Sequence, residues 1–567
     1  MKRWVWAALA AVLTLAVVMR FLPLASFMIW GSDSGEYYTL TRGLLQNSEL
    51  VTGYNGWGFG YPSFPGMFIL TGEAQLLTGL GLFESMLWVA PFVSSLSVIV
   101  IFLIARRTFE DPRAGLLAGA VLAVVTPAVY ATSHPMPGSI GDLLALSCIL
   151  LLLKSLEKRS ALPALGISTL ALVMTHHLST FFVLVPVLLA LLVRELVRLR
   201  TDRQRTMIEG GYLVFLLSAT MLFWYGYATP FRDRVIPEGF GLSPWTVLGL
   251  AFASLLVIPL LVLLRRRLLP RALYRPGFPS VRKVTAYFAL FVVAGAAALA
   301  AIALLTTPGT SIDVDDRAAY WLLPMIFLMG ISIGGIGRAE YSRDGVFVLS
   351  WLGAISLSVM VGIATNNHVL LPYRQSQYFI EPMAVLIGAG AVFMHDHWNL
   401  DLDRRKALAA GAAFTTVVLL CAATAYPPRE IMGGFEEGTT YQEMDSVLWL
   451  REDGPPAELV ATDHRMSSMT FGFAGLNASW DDARQTLHGN YSAAAAEMAG
   501  LETPSGEHSV TLVLLTPSIE AGAALTQWET ARPLSSDARA KFSSELFSKL
   551  YESNGVKIYR VDQSLLS

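Results

Sequence analysis

Asp33 and Glu36 stand just past a membrane-length apolar run, in the stretch Gly31–Gly66, GSDSGEYYTLTRGLLQNSELVTGYNGWGFGYPSFPG. A carboxylate pair at a membrane face is costly to place, so it points to function. Either acid could take a proton from an attacking hydroxyl. The same stretch carries Tyr37, Tyr38, Tyr54, Trp57, Phe59 and Tyr61. These rings could stack on a bound ligand, or form an interfacial aromatic belt. Further candidates lie in three short turns: His134 and Asp142 in TSHPMPGSIGD, His176 and His177 in MTHHLST, and Tyr373, Arg374 and Glu381 in LLPYRQSQYFIEP. The planar guanidinium of Arg374 could grip a lipid phosphate or anchor in headgroups. Asp33, Asp142 and one of His176 or His177 would give a mixed oxygen and nitrogen set suited to a divalent cation, manganese or magnesium. Without a metal, the histidines would bond the acids instead.

These residues need a scaffold, and the composition says which kind. The chain of 567 residues is 54% hydrophobic and only 15% charged, against about 25% charged in soluble proteins. Mean hydropathy is +0.52. The fold class expected is a polytopic α-helical membrane protein. A net charge of −2 provides no basic field, so no nucleic-acid partner is expected. Cys148 and Cys421 both lie in apolar runs and imply no disulfide framework. Gly56-Trp57-Gly58-Phe59-Gly60 does not follow a strand and open a helix, and no P-loop or HExxH occurs, so nucleotide-dependent chemistry finds no support.

About 13 spans are expected between residues 4 and 425. The first, Trp4 to Met28, reads as a signal anchor, or as a cleavable signal with small residues near Ala25. The others are 86–105, 114–131, 139–153, 161–175, 179–196, 210–228, 244–264, 284–305, 320–336, 345–363, 378–394 and 406–425. The segment Met67–Gly81 is short and contains Glu73, so it is read as a helix lying in the interface of a first outer loop, 31–85. This arrangement sorts 25 Lys and Arg residues to inner loops and five to outer loops. Making Met67–Gly81 a span would swap the later loops and destroy that asymmetry. The N-terminus is therefore expected in the cytoplasm. All the candidate residues then fall at the outer face.

Residues 1–425 thus form the expected membrane domain, and 426–567 a small extracytoplasmic α/β domain. Within the latter, Tyr441–Arg451 and Ala538–Glu552 read as helices; Glu458–Thr462, Ser509–Leu515 and Gly555–Val561 read as strands. Asn477 and Asn490 head glycosylation sequons. Asp313, Asp315 and Asp316 make a solvated acidic loop, and Asp463-His464 ends a strand.

The order and sidedness of these features resemble the GT-C class of integral membrane glycosyltransferases. The resemblance rests on the acid after the first span in DSGEYY, the YPSFPG segment before an interfacial helix, SHPMPGSIGDLLAL, the Tyr373-Arg374 loop and an outer C-terminal domain. It implies a polyprenyl-phosphate-linked sugar donor and a lipid, glycan or protein acceptor outside the cytoplasm, in a multi-pass protein of the cell membrane. It also implies that Asp33, the acid directly after the first span, is the base, with Glu36 beside it. Tyr37, Tyr38, Tyr61, His134, Tyr373 and Arg374 then become the substrate-binding candidates. One base with direct attack gives inversion. The WWDYG-type motif of oligosaccharyltransferases is missing; Ser479-Trp480-Asp481-Asp482 is not that motif. A monosaccharide transferase, similar to protein mannosyl or aminoarabinose transferases, is favoured over an oligosaccharyltransferase-like enzyme. A transporter or glycolipid flippase would place ionisable groups near the midplane of two matching halves. An adhesion protein would need few spans.

Overall fold

The computed structural model describes residues 2–566 apart from 48–53, 198–202, 255, 257–280, 305–316, 366–369, 402–403, 432–433 and 523–531. The apolar runs fold as helices because a chain in lipid must satisfy its backbone internally. Among the described residues nine helices are long and apolar enough to cross a membrane, from Arg3–Ala25 to Pro372–Asp396. A tenth candidate is the pair Pro112–Val124 and Thr126–Thr132, bent by 62° where Val125 is extended and Pro127 opens the next turn. The three remaining expected spans coincide with the shorter apolar helices Arg159–Thr175, Pro244–Ser254 and Leu408–Ala423. The end of the expected span 244–264 and the Asp313–Asp316 loop lie outside the described residues. The fold is therefore a multi-pass helical membrane protein, with fewer full-length spans among the described residues than the hydropathy pattern suggests. Gly66–Thr78 is a separate 13-residue helix over most of the segment Met67–Gly81.

The bundle core is aliphatic. Val98, Ile101, Ala118, Leu146 and Leu386 are essentially inaccessible and belong to one cluster. One end of the bundle is tied by charge. Arg107 and Arg205 both bond Asp344 at 2.8 Å, and Arg194 and Arg205 meet at Glu209. All lie in segments assigned to the inner face, and the chemistry candidates lie at the opposite ends of their helices.

The C-terminal region folds around a four-stranded sheet. With β1 at Ile29–Trp30, β2 at Gly438–Thr439, β3 at Val460–Ala461, β4 at Leu501–Thr503, β5 at Gly506–His508, β6 at Leu512–Leu515, β7 at Phe547–Ser553 and β8 at Val556–Val561, the sheet order is β3-β6-β8-β7. The β3–β6 pair is parallel; the other two pairs are antiparallel. The expected helix 538–552 is wrong in its second half. Ser536–Ala540 is helical, but Phe547–Ser553 is a strand paired with β8 across the Asn554-Gly555 turn, whose φ values are 48° and 85°. Such an Asn-Gly turn selects a tight hairpin, and β8 supplies a partner edge that overrides local propensity. Of the two sequons, Ser479 is buried and bonded to Thr462, while Asn490 is exposed and caps the helix Tyr491–Ala499.

The two expected domains share a core. Ile29, Tyr37, Leu40 and Met67 from the membrane domain cluster with Met444, Val447, Met466 and Ile558. Strand β1, just after the first span, pairs antiparallel with β2, which follows the last helix of the membrane region; Ile29 faces Thr439 and Trp30 faces Gly438. The helix Ser34–Asn47 then runs against the segment Ser468–Phe473. A Cβ on Gly35 would lie 1.8 Å from the carbonyl oxygen of Ser468, and one on Gly472 would lie 2.2 Å from the carbonyl oxygen of Gly35. Only glycines allow the two backbones to approach this closely.

Candidate active site

Asp33 sits in the short turn between β1 and the helix Ser34–Asn47. The turn is clamped on both sides. Ser32 N–H donates to Glu437 Oε2 at 2.9 Å, and the N–H groups of Gly35 and Glu36 donate to Ser468 Oγ at 3.1 and 3.2 Å. The carboxylate itself is held by side chains from three segments. Tyr61 and Tyr37 donate to Oδ2 at 2.7 and 3.3 Å. His464 Nε2 donates to Oδ1 at 3.0 Å. The other ring nitrogen of His464 donates to Asp481 Oδ1 at 2.8 Å, and Trp57 Nε1 donates to Asp481 Oδ2 at 3.1 Å. Ionised carboxylates only accept, so an imidazole bonded through both nitrogens to two of them carries both protons.

The electrostatics follow that arrangement. Burial opposes the charge on Asp33, but the hydrogen bond and charge of His464, joined by Tyr61 and Tyr37, hold its carboxyl below the usual carboxylate range. Burial likewise opposes the charge on His464, and the two carboxylates outweigh it, holding the imidazole well above its ordinary value. Glu36 behaves oppositely. Burial and the charge of Asp33 push it up to about 7, despite bonds from Tyr54 and from Gly58 N–H at 3.0 Å. Asp33 keeps 22% of its side-chain surface, whereas Glu36 is wholly enclosed. Asp33 can thus meet a substrate. Glu36, expected beside Asp33 as a catalytic group, instead holds Tyr54 and Gly58 of the first loop in this arrangement.

The other candidates separate into four groups. Arg374 lies within electrostatic reach of Asp33, Tyr61, His176 and His177, so one end of the bundle collects all five. It is half-buried, donates to the Tyr373 hydroxyl at 3.3 Å and stacks over that exposed ring. His176 bonds Ser179 at 2.8 Å, and Ser179 bonds Tyr378 at 2.8 Å. His177 packs on Phe64 and Phe231. Asp142, next to the Gly141 that packs on His176, is buried within electrostatic reach of Glu381 and Arg20. Tyr38, expected on substrate, stacks on Phe473 at 4.4 Å and makes an interdomain contact. His134 is buried against Trp30 and Tyr130, and burial lowers its pKa.

The expected metal set of Asp33, Asp142, His176 and His177 is not assembled. Asp142 and His176 turn to partners of their own, and both oxygens of Asp33 already accept bonds from protein donors. Among the described residues no group of three or more His, Cys, Asp or Glu side chains is placed to hold a metal. These residues do not fit a divalent cation at that place.

Sequence reasoning missed His464, Asp481 and the role of Trp57. One local signal was present: Asp463 caps a helix directly after β3, accepting from Met466 N–H at 2.8 Å, so the next side chain is presented at a strand-to-helix turn. That this turn faces Asp33, 431 residues away in sequence, is a tertiary fact.

The helical membrane body with its small C-terminal sheet region has the fold of GT-C integral membrane glycosyltransferases. Residues 66–224 match the family model described as dolichyl-phosphate-mannose-protein mannosyltransferase. The fold is similar to the oligosaccharyltransferase of Archaeoglobus fulgidus. In the apo form the TM-score is 0.61 at 15% identity, covering 99% of this chain and 75% of the other. The form tethered to an acceptor peptide gives 0.58 at 15%, with 100% and 74% covered. The form with an inhibitory peptide and a dolichol-phosphate gives 0.58 at 14%, with 99% and 75% covered. No curated protein matches the sequence.

Proposed function

We propose that this protein transfers a single sugar from a polyprenyl-phosphate donor to a hydroxyl-bearing lipid, glycan or protein acceptor on the outer face of the membrane. The observation that carries the reading is Asp33, an ionised and partly accessible carboxylate fixed by His464 and Tyr61, with Arg374 within electrostatic reach. The acceptor oxygen attacks the anomeric carbon as its proton passes to Asp33. The bond from that carbon to the phosphate oxygen breaks, and its electron pair stays on the lipid phosphate. Attack from the side opposite the phosphate inverts the anomeric centre. The guanidinium of Arg374 stabilises the departing phosphate. Tyr61 and Tyr37 orient the base, and Tyr373 lies exposed beside Arg374. Mannose is the first donor sugar to test, because the matching family model is described by dolichyl-phosphate-mannose.

Arg374→Ala is expected to raise the donor KM and lower turnover. Arg374→Lys keeps the charge but loses the fork and recovers only part of the loss. Kinetics with dolichyl-phosphate mannose would check this, and unchanged donor kinetics in Arg374→Ala would reduce the residue to a headgroup anchor.

The sidedness is part of the proposal. Its support is the 25-to-5 sorting of Lys and Arg and the charge network tying the loops assigned inside. A reporter fused after Ser567 is expected to be active only outside the cytoplasm. Activity inside would reverse the assignment of the site to the outer face.

A further inference from the structure

The acid at the centre of this reading is completed by the other domain. Asp33 belongs to the membrane domain, and the cation that bonds it, His464, belongs to the soluble one. His464 is 8% exposed, bonded at both ring nitrogens, and packed edge-on against Trp57 at 4.8 Å and against Trp480 at 5.9 Å. It has no freedom to turn. Asp481 fixes it from behind, and Trp57, which lies in the same first loop as Asp33, fixes Asp481. The result is a closed circuit of contacts: first loop to soluble domain through His464, and back to the first loop through Trp57.

We propose that His464, oriented by Asp481 and Trp57, is the positioning residue for Asp33, so that the site is competent only while the soluble domain is docked on the first loop. The inference rests on the reading of Asp33 as base. A base requires a fixed direction as well as a charge. Tyr61 and Tyr37 hold one oxygen of Asp33, and His464 holds the other. Without His464 the carboxylate can rotate about its side-chain bonds while remaining in the turn. The charged and titratable groups around the imidazole are Asp33, Glu36, Tyr37 and Tyr61 from the membrane domain, Asp463 and Asp481 from the soluble domain, and Arg374 beyond Asp33. The negative groups in contact with the ring outnumber the positive ones, so the imidazolium is compensated locally.

The test uses the full chain in detergent, with His464→Gln, Asp481→Asn and Trp57→Phe. The glutamine offers one donor without charge, the asparagine weakens the hold on His464, and the phenylalanine keeps the ring but loses the donor. Nitrogen-15 histidine spectra, assigned with His464→Gln, read the ring independently of any donor. They should show His464 doubly protonated at neutral pH in the wild type. A neutral ring there would overturn the proposal. Turnover of dolichyl-phosphate mannose at matched folded protein is expected to fall roughly tenfold to a hundredfold in His464→Gln, of the order seen when an orienting partner of a functional group is removed. The losses should be smaller in Asp481→Asn and smallest in Trp57→Phe, in kcat with donor KM unchanged. The acid limb of the rate profile should move to higher pH in His464→Gln, because Asp33 loses its cation; a merely structural contact would not move it. Wild-type kcat and acid limb in His464→Gln, alongside an inactive Asp33→Asn, would overturn this inference alone. Wild-type turnover in Asp33→Asn would instead sink the base assignment on which it stands.

Discussion

Asp33→Asn is expected to lose about 10²–10⁴-fold in sugar transfer, the range typical of removing a positioned general base. The asparagine keeps the size of the side chain and its Oδ1 as an acceptor, so the bond from His464 can persist. What disappears is basicity. Folding should survive, since the helix Ser34–Asn47 is held by Ser468 and by the Gly35–Gly472 contact rather than by this carboxylate. The wild-type rate should also resist mild acid. Asp33 is held below the usual carboxylate range, so it stays ionised until the pH falls below that range. Glu36→Gln is the paired measurement. Glu36 is enclosed, and its raised pKa of about 7 means that a neutral glutamine imitates one of its two forms near neutrality. Its turnover is expected to stay within a few-fold of wild type. An inactive Glu36→Gln with a normal Asp33→Asn would exchange the two roles.

The second large effect is on stability. Arg465→Ala is expected to weaken the docked soluble domain by about 3–5 kcal/mol, the usual result of breaking a buried ion pair from one side. Arg465 is 2% exposed and donates twice to Glu443 at 2.8 Å, and to Gly438 O of β2 at 2.9 Å and Thr439 Oγ1 at 3.2 Å. Removing it strands a carboxylate in the core and loosens β2. Burial works against the charge of Glu443, but Arg465 and Thr440 hold it down to about 2, from an ordinary value of 4.5. The folded-state value is depressed, so this contribution is fully present above about pH 4.5 and is lost as the pH falls through about 2. At neutral pH the variant therefore shows the whole loss. Hydrogen exchange over residues 436–470 in the full chain would measure it. Pairing Arg465→Met with Glu443→Leu removes both charges and should recover most of the deficit. Unchanged exchange in Arg465→Ala would mean that the pair is not what holds this segment.

The membrane body was legible in the sequence because its signal is long and repetitive. Apolar runs of membrane length and one-sided Lys and Arg placement report a strong, local physical preference. The first loop was legible as a candidate site for the same reason that it is unusual: Asp33 and Glu36 stand at a place where acids are expensive. Division of labour between them was not legible. It depends on the burial of Glu36 under Tyr54 and Gly58, which adjacent residues do not reveal. Spacing along the chain also misled the metal assignment. Asp142 and His176 lie at the ends of expected spans, but Asp142 lies within electrostatic reach of Glu381 on another helix, and His176 bonds Ser179 three residues on, with Tyr378 of another helix behind it. His464 stood in plain sight as one half of Asp463-His464. Its meaning needed the pairing of β1 with β2, a contact between opposite ends of the chain that leaves no periodicity to read.

That pairing has a consequence for how the protein is made. Ile29 emerges among the first residues of the chain, and its partner Thr439 follows 410 positions later. At ribosomal rates of about 5–20 residues per second, the first loop waits tens of seconds for its partner strand. During that interval the early helices can already be inserted, while Asp33 lacks His464 and the backbone of Gly35 lacks its cover. A nascent or truncated chain would be integrated in the membrane yet inert. Assembly of the centre is thereby postponed until synthesis of the last segment is nearly done, and a newly made copy is completed as one of the final events of its own biogenesis.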